Sequence, residues 1–282
     1  MRQRRRPHAA RGMALVAVLW IVAALSLLVA SVTQGVRQHV RSVGTVRDAV
    51  VAQAQADAAI HLALQALHVS PSRPQGLQAM RVDVGAVAVD IVVQPLTGFI
   101  DLDRAPAPLL ASLLKTAGGL PSGQAEALAQ TMVEWRGPRA GRAGEPNHFE
   151  AAEDLLLVPG MDYALFRRLE SLVTTEQAGS AGVNPLAANV DVLTVLAQGN
   201  ASLASRIASA RDAAQVGIDT TALAPAFVAS GGTERYRVEA RVPTEGGKME
   251  AFARTIVFAE SPSGVPWRTL RTERRAVPAG AH

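Results

Sequence analysis

The chain has 282 residues, 49% hydrophobic and 18% charged, which is long enough to bury a core and too apolar for a disordered polypeptide. It contains no cysteine, which excludes disulfide scaffolds, cysteine nucleophiles and thiolate metal sites. The net charge of +4 is local: Arg2, Arg4, Arg5, Arg6 and Arg11 supply five positive charges, and without them the balance is −1, so the body of the chain is not a general nucleic-acid binder.

No ionisable residue occurs from Gly12 to Val36, and Met13–Val32 reads MALVAVLWIVAALSLLVASV. As a helix this run is long enough to cross a hydrocarbon core of ~30 Å. A buried core helix would leave the preceding arginines without a purpose. A secretory signal peptide has a shorter apolar region, typically ~7–15 residues, and Ala30-Ser31-Val32 is a weak cleavage site. An anchor accounts for both features, with the arginine-rich end cytoplasmic and the remainder across the membrane. The junction Arg11-Gly12-Met13-Ala14-Leu15-Val16 resembles the type IV prepilin signal. That resemblance implies removal of a basic leader, residues 1–12, by the membrane-embedded prepilin peptidase. Cleavage would fall after Gly12, with methylation of the new N-terminus at Met13. Pilin-like chains commonly carry a glutamate at mature position five, where this chain has Ala17.

Beyond the anchor, 13–35, the pattern turns helical. Val36, Val40, Val43, Val46 and Val50 recur at three- and four-residue steps, and Ala52–Leu67 continues with strong helix formers until Pro71 and Pro74. The spacing predicts one helix from Met13 to about His68, its second half, 36–70, lying on a domain and its length about 80 Å at ~1.5 Å per residue. Met80–Val93 alternates with period two and bends at Gly85. Alternation returns in Glu234–Val242 and Met249–Ala259, flanking Pro243-Thr244-Glu245-Gly246-Gly247, which predicts an antiparallel hairpin. The expected sheet comprises 71–97 and 226–262. Between its parts lies a mainly helical insertion, 98–225. Residues 263–282, with prolines, glycines and Arg268, Arg271, Arg274 and Arg275, read as a mobile tail.

The insertion carries a weak repeat. Ile100-Asp101-Leu102-Asp103-Arg104-Ala105-Pro106 precedes Leu109–Leu113, and Val183-Asn184-Pro185-Leu186-Ala187-Ala188-Asn189 precedes Val192–Leu196, at a constant offset of 83 residues. Asp or Asn near a proline suits a turn that caps a helix, one structural device used twice. Between the two copies, Phe149–Met161 ends in Val158-Pro159-Gly160-Met161 and reads as helix, tight turn, helix.

Anchor, interrupted sheet, repeated Asp/Asn turns and the Val-Pro-Gly-Met turn together resemble the type II secretion minor pseudopilin K family (general secretion pathway protein K) from Gly12 to about Ala259. Members of that family also lack the glutamate at mature position five. The resemblance implies an α+β fold: a pilin-like long N-terminal helix, half transmembrane, packed on a small antiparallel sheet, with a large helical domain inserted between strands. It implies a place at the tip of the pseudopilus in the inner membrane, with the C-terminal domain periplasmic, and a role in exporting folded periplasmic proteins. The implied partners are minor pseudopilins I and J, other pseudopilins, the prepilin peptidase and the inner-membrane assembly platform. The competing class is an unprocessed single-pass membrane protein with a periplasmic binding domain.

Other sites weigh toward structure. The Pro159-Gly160 turn is like that of helix-hairpin-helix modules that bind DNA, but Glu150, Glu153, Asp154 and Asp162 surround it against Arg167 and Arg168. A phosphate backbone would be repelled, so a packing turn is expected and no nucleic-acid partner. Proteins resembling this chain can hold calcium in an acidic loop after a tryptophan. Here Trp135–Glu145 carries Arg136, Arg139 and Arg142 against one glutamate. Calcium takes ~6–8 oxygen ligands, so the loop is degenerate and no metal or cofactor is assigned. Glu145, Glu150, Glu153 and Asp154 could still gather a calcium ion, but the reading preferred is an acidic helix start. His39, His61 and His68 fall on the long helix, with Asp57 near His61 as a surface pair, and His148 lacks a second histidine. No nucleophile elbow or complete P-loop occurs, so no catalytic residue is expected.

Overall fold

Helix α1 runs unbroken from Ala10 to Val69 and ends where Ser70 and Pro71 can no longer continue it. The computed structural model describes residues 10–137, 147–176, 179–244, 248–259 and 264–277, apart from the side chains of 10–15, 27–46, 248, 276 and 277. The chain divides into a unit up to Gln53 and a larger one from Ala54 onward. In the first unit the described part of the apolar run is exposed, Trp20, Leu19 and Val18 among it. Among the described residues no helix is long and apolar enough to cross a membrane. The side chains of Met13–Leu15 and Leu27–Val32, and those of Val36, Val40, Val43 and Val46, lie outside the described residues.

In the larger unit, α1 buries Ala56, Ala59, Ile60, Ala63, Leu64 and Leu67, a stripe at helical spacing. It packs on a five-stranded antiparallel sheet, β1 Gln78–Val84, β2 Val87–Pro95, β5 Arg235–Thr244, β6 Lys248–Val257 and β7 Arg268–Val277, in the order β1-β2-β5-β6-β7. Gly85 takes a φ of +63° in the two-residue β1–β2 turn, which a glycine adopts without strain. One face carries Val89, Ile91, Val93, Tyr236, Val238, Ala240, Val242 and Ile256, all buried. Asp57 of α1 pairs with Arg254 of β6 at 2.7 Å, and the His61 and His68 rings meet Trp267 and Phe258. The expected surface pair of Asp57 with His61 is therefore corrected: the Asp57 carboxylate turns to Arg254, and His61 Nδ1 meets only the Asp57 carbonyl, at 3.2 Å. Tyr236 is fully buried and donates its hydroxyl to the Pro74 carbonyl.

Strand β7, Arg268–Val277, falls within the tail expected to be mobile over 263–282 and corrects that expectation there; 263 and 278–282 lie outside the described residues. It pairs with β6 from Met249↔Val277 to Val257↔Arg268. Its alternating positions are charged rather than apolar, so the hydrophobic signal of a strand is missing; Arg274 pairs with Glu250 of β6, Arg275 with Glu239 of β5, and Arg271 with Glu273 of its own strand and Glu153 of the insertion.

The insertion leaves the sheet after β2 and returns before β5. It comprises α2 Ala107–Thr116, α3 Ser122–Trp135, a 3₁₀ turn at Ala152–Leu157, α4 Tyr163–Leu169, α5 Val190–Leu196 and α6 Ala201–Asp212. A short parallel pair, β3 Ile100–Asp101 and β4 Val173–Thr174, ties the start of the insertion to its middle; no alternation over two residues could have announced it. The repeat is structural. Leu109, Leu110 and Leu113 of α2 and Val192, Leu193 and Leu196 of α5, related by the 83-residue offset, share one apolar core. Ser112 Oγ donates to the Val195 carbonyl at 2.8 Å, again 83 residues apart, so the two copies meet at equivalent positions, as a local two-fold relation requires. Asp101 and Asn184, both buried, close equivalent turns. Asp101 Oδ1 accepts from the Asp103 and Arg104 amides, and Asn184 Oδ1 accepts from the Leu186 amide. The expected capping role is therefore corrected: neither is itself a helix cap, and those positions belong to Pro106 for α2 and Asn189 for α5.

Candidate functional site

The outer face of the sheet, away from α1, has a composition unlike the inner one. Pairing registers place Ala79, Val92, Glu239, Ala253 and Glu273 in one row across the strands, with Gln94, Arg237, Thr255 and Arg271 in the next. Arg237 of β5 reaches Glu273 of β7 at 2.7 Å, and Arg275 of β7 reaches Glu239 of β5 at 3.4 Å. Both ion pairs pass over β6, where Ala251, Ala253 and Thr255 are buried. Small residues on the middle strand leave room for long stems from either side to lie flat over them. Arg241 also binds Glu239, at 3.0 Å, so two guanidiniums share one carboxylate.

The lattice continues into the insertion. Arg271 donates to Glu153 Oε1 and Oε2 at 2.6 and 2.7 Å and to Glu273 at 3.0 Å. The Arg271 hydrogen bonds hold the Glu153 carboxyl below its usual range, while burial raises Glu176 on the same seam. Arg235 donates to the Glu176 carbonyl. Along this seam lies a cleft of about 550 Å³. Its floor is Val92 and Gln94 of β2 with Arg237, Glu239 and Arg241 of β5, and its wall includes Phe99 and the start of α5 at Asn189–Asp191. Gln94 is buried, and its Nε2 has no hydrogen-bond partner among the described residues. Sequence reasoning passed over this cleft. The available signal was Arg/Glu alternation in Arg235–Arg241 and Arg271–Arg275, which marks a charged sheet face.

The residues singled out in the sequence lie elsewhere. Gly12 and Met13 fall in α1 with undescribed side chains, and Ala17 is exposed there. Val158, Pro159, Gly160 and Met161 form a tight turn: the Met161 amide donates to the Val158 carbonyl at 3.1 Å, and Gly160 takes a φ of +92°. Val158 and Met161 pack into the insertion core while Pro159 and Gly160 face outward. Residues 138–146, most of the degenerate loop with Glu145, lie outside the described residues. Of the acidic group, Asp154 Oδ2 accepts from the Glu150 and Ala151 amides and Glu153 is taken by Arg271. Among the described residues no group of three metal-ligating side chains comes together.

Among the described residues Asp101 is the most perturbed acid. Burial pushes its carboxyl up to about 6, against the two amide donors that favour its charge. Arg136, bonded to the Leu102 and Ala105 carbonyls at 2.5 and 2.6 Å, stands over the same turn. These contacts close the turn.

The described residues define an α+β protein in which a duplicated helical domain interrupts an antiparallel sheet packed on a long helix. The chain is similar in structure to one chain of the crystal structure of the GspK–GspI–GspJ complex from the type 2 secretion system of enterotoxigenic Escherichia coli. The match covers 80% of this chain and 94% of that chain, at 14% identity and a TM-score of 0.45. No protein-family model matches the sequence, and no curated protein matches it.

Proposed function

We propose that the chain is a minor pseudopilin of the K type, acting at the tip of a type II secretion pseudopilus in the export of folded periplasmic proteins. The observation that carries this reading is the continuity of α1: one helix from Ala10 to Val69, apolar at its start and packed at its end on an antiparallel sheet. Such a helix is both a bilayer anchor and a stave for a helical filament core. The helical domain inserted between β2 and β5 would fit at a tip, where nothing stacks above it, and would obstruct a shaft.

On this reading the prepilin peptidase cuts after Gly12, Met13 is methylated, and the anchor holds the chain in the inner membrane with its folded domain periplasmic. Ala17 suits a first subunit, which has no amine above it for a position-five carboxylate to pair with. Minor pseudopilins I and J, other pseudopilins and the assembly platform are its partners. The chain needs no cofactor and is the substrate of an enzyme rather than an enzyme. The test is Gly12→Val, expressed in a secreting host. Unprocessed protein about twelve residues longer and failed secretion are expected, with wild-type protein beginning at methylated Met13 by mass spectrometry. Wild-type protein that retains Met1 would instead establish the unprocessed single-pass reading.

A further inference from the structure

At the end of α3 a guanidinium stands where oxygen atoms from separate segments of the insertion converge. Arg136 is the C-cap residue of α3, where a positive charge meets the negative end of the helix dipole. Its two terminal nitrogens donate to the Leu102 and Ala105 carbonyls at 2.5 and 2.6 Å. It also borders a cavity of about 240 Å³ lined by Asp101, Asp103, Asn147 and Thr175. Arg104 borders the same cavity, but its Nη1 donates to the Gly179 carbonyl at 2.7 Å. Burial lowers the Arg136 pKa, and the charges of Asp103 and Asp101 oppose that fall. The neighbouring contacts make the place a hub. Asp103 Oδ1 accepts from the Phe149 amide at 2.9 Å, Asn147 Nδ2 donates to the Trp135 carbonyl at 3.1 Å, and the Trp135 and Phe149 rings stack at 4.5 Å.

Main-chain carbonyls and carboxylates gathered about one positive charge are the donors that a hard divalent cation takes. As folded, the hub does not fit such an ion: Arg136 holds both carbonyls, and among the described residues no group of three metal-ligating side chains comes together. A planar guanidinium bridges two carbonyls with fixed N–H groups and keeps its charge throughout the physiological pH range. We propose that Arg136 is the resident cation of this hub, fastening α3 and residues 147–149 to the turn at 101–105 from within, so that the insertion keeps its fold without a divalent ion. Its removal leaves a set of oxygens that calcium fills in its place. The hub lies within the unit that begins at Ala54, so its chemistry is the same whether or not the chain is processed at Gly12.

The test is thermal melting of the full chain in detergent at about pH 8, above the value of about 6 to which the Asp101 carboxyl is pushed. Three conditions are compared: EDTA, about 10 mM calcium chloride, and potassium chloride of equal ionic strength. Wild type should melt within about 1 °C of one temperature in all three. Arg136→Gln keeps two N–H donors but no charge, and should melt about 5 °C or more below wild type in EDTA. Arg136→Ala should fall further, and calcium but not potassium should restore about half of its loss or more. Adding Asp103→Asn to Arg136→Ala should abolish that restoration, which places the ion in this hub. Should Arg136→Ala be unfolded in EDTA, recovery of its helical circular dichroism on adding calcium gives the same result. A wild type that calcium stabilises, an Arg136→Gln variant as stable as wild type, or an Arg136→Ala variant that calcium leaves unmoved would each overturn the proposal.

Discussion

Two regions of this chain cover their backbones by opposite means. In the insertion, α2 and α5 turn Leu109, Leu110, Leu113, Val192, Leu193 and Leu196 into a common apolar core that also takes residues from α3, α4 and α6. On the outer face of the sheet, Ala251, Ala253 and Thr255 are just as buried, but under arginine stems and the ion pairs Arg237–Glu273 and Arg275–Glu239. Burial of apolar area contributes roughly 25 cal/mol per Å² whatever the geometry. Exposed ion pairs contribute about 0–1 kcal/mol each and depend on geometry and salt. The insertion therefore carries stability, while the sheet lattice mainly fixes which side chains face the seam.

The sharpest way to break that contrast is at Leu113, fully buried in α2. Leu113→Ala should cost about 2–5 kcal/mol in a denaturant titration, the range for a leucine cavity that relaxes incompletely. Leu196, its equivalent 83 residues on, is also fully buried and should respond similarly. A loss no larger than that of a lattice residue would mean the insertion is not held by its apolar core.

A polar residue inside that same core gives the next largest effect, with opposite sign. Asp101 is buried and pushed up to about 6, chiefly by desolvation. The folded chain therefore binds a proton that the unfolded chain has lost, so this group's contribution is best at low pH and is lost as pH rises from about 4 to about 6. A difference of that size corresponds to about 3 kcal/mol above that window. Asparagine keeps an oxygen for the Asp103 and Arg104 amides, and the second copy already has Asn184 at the equivalent turn. Asp101→Asn should stabilise the chain by about 2 kcal/mol at pH 8 and flatten the profile between pH 4 and 6. A variant no more stable than wild type at pH 8 would show that the charge is fully compensated in place.

Much of the architecture was readable because it was written in apolar spacing. The β1–β2 and β5–β6 hairpins alternate apolar and polar residues, and the α1 stripe from Ala56 to Leu67 has helical period. The 83-residue repeat was visible in the Asp101 and Asn184 turns, although a linear reading could not show that α2 and α5 touch at Ser112 and Val195. Strand β7 was missed because Arg271, Glu273 and Arg275 alternate charge with charge, and their partners, Glu153, Arg237 and Glu239, lie far away in the sequence. The same blindness hid the cleft: Gln94 and Arg241 are 147 positions apart in the chain, brought together by a register that no local pattern encodes. The Val158–Met161 turn was legible from Pro159-Gly160 alone, since the positive φ of a tight turn asks for glycine.

The smallest expected effect tests the lattice itself. Glu153 belongs to the insertion and Arg271 to β7, and two hydrogen bonds join them. Arg271 holds the Glu153 carboxyl low, so the pair's contribution is present above the unfolded carboxyl range, near 4.5, and is lost as pH falls through the lowered folded value. The Glu153 side chain is 57% exposed, and solvent screening at such a position limits the contribution to about 1 kcal/mol or less. Glu153→Gln should therefore lower the melting temperature slightly at pH 7. The difference from wild type should shrink in molar salt, where the screening length falls to ~3 Å, and vanish in strong acid. Asp101→Asn acts in a higher pH window and with the opposite sign, so one series of melts from pH 3 to 8 separates the two. A loss on Glu153→Gln as large as that of Leu113→Ala would mean that this ion pair, and not the apolar core, fastens the insertion to the sheet.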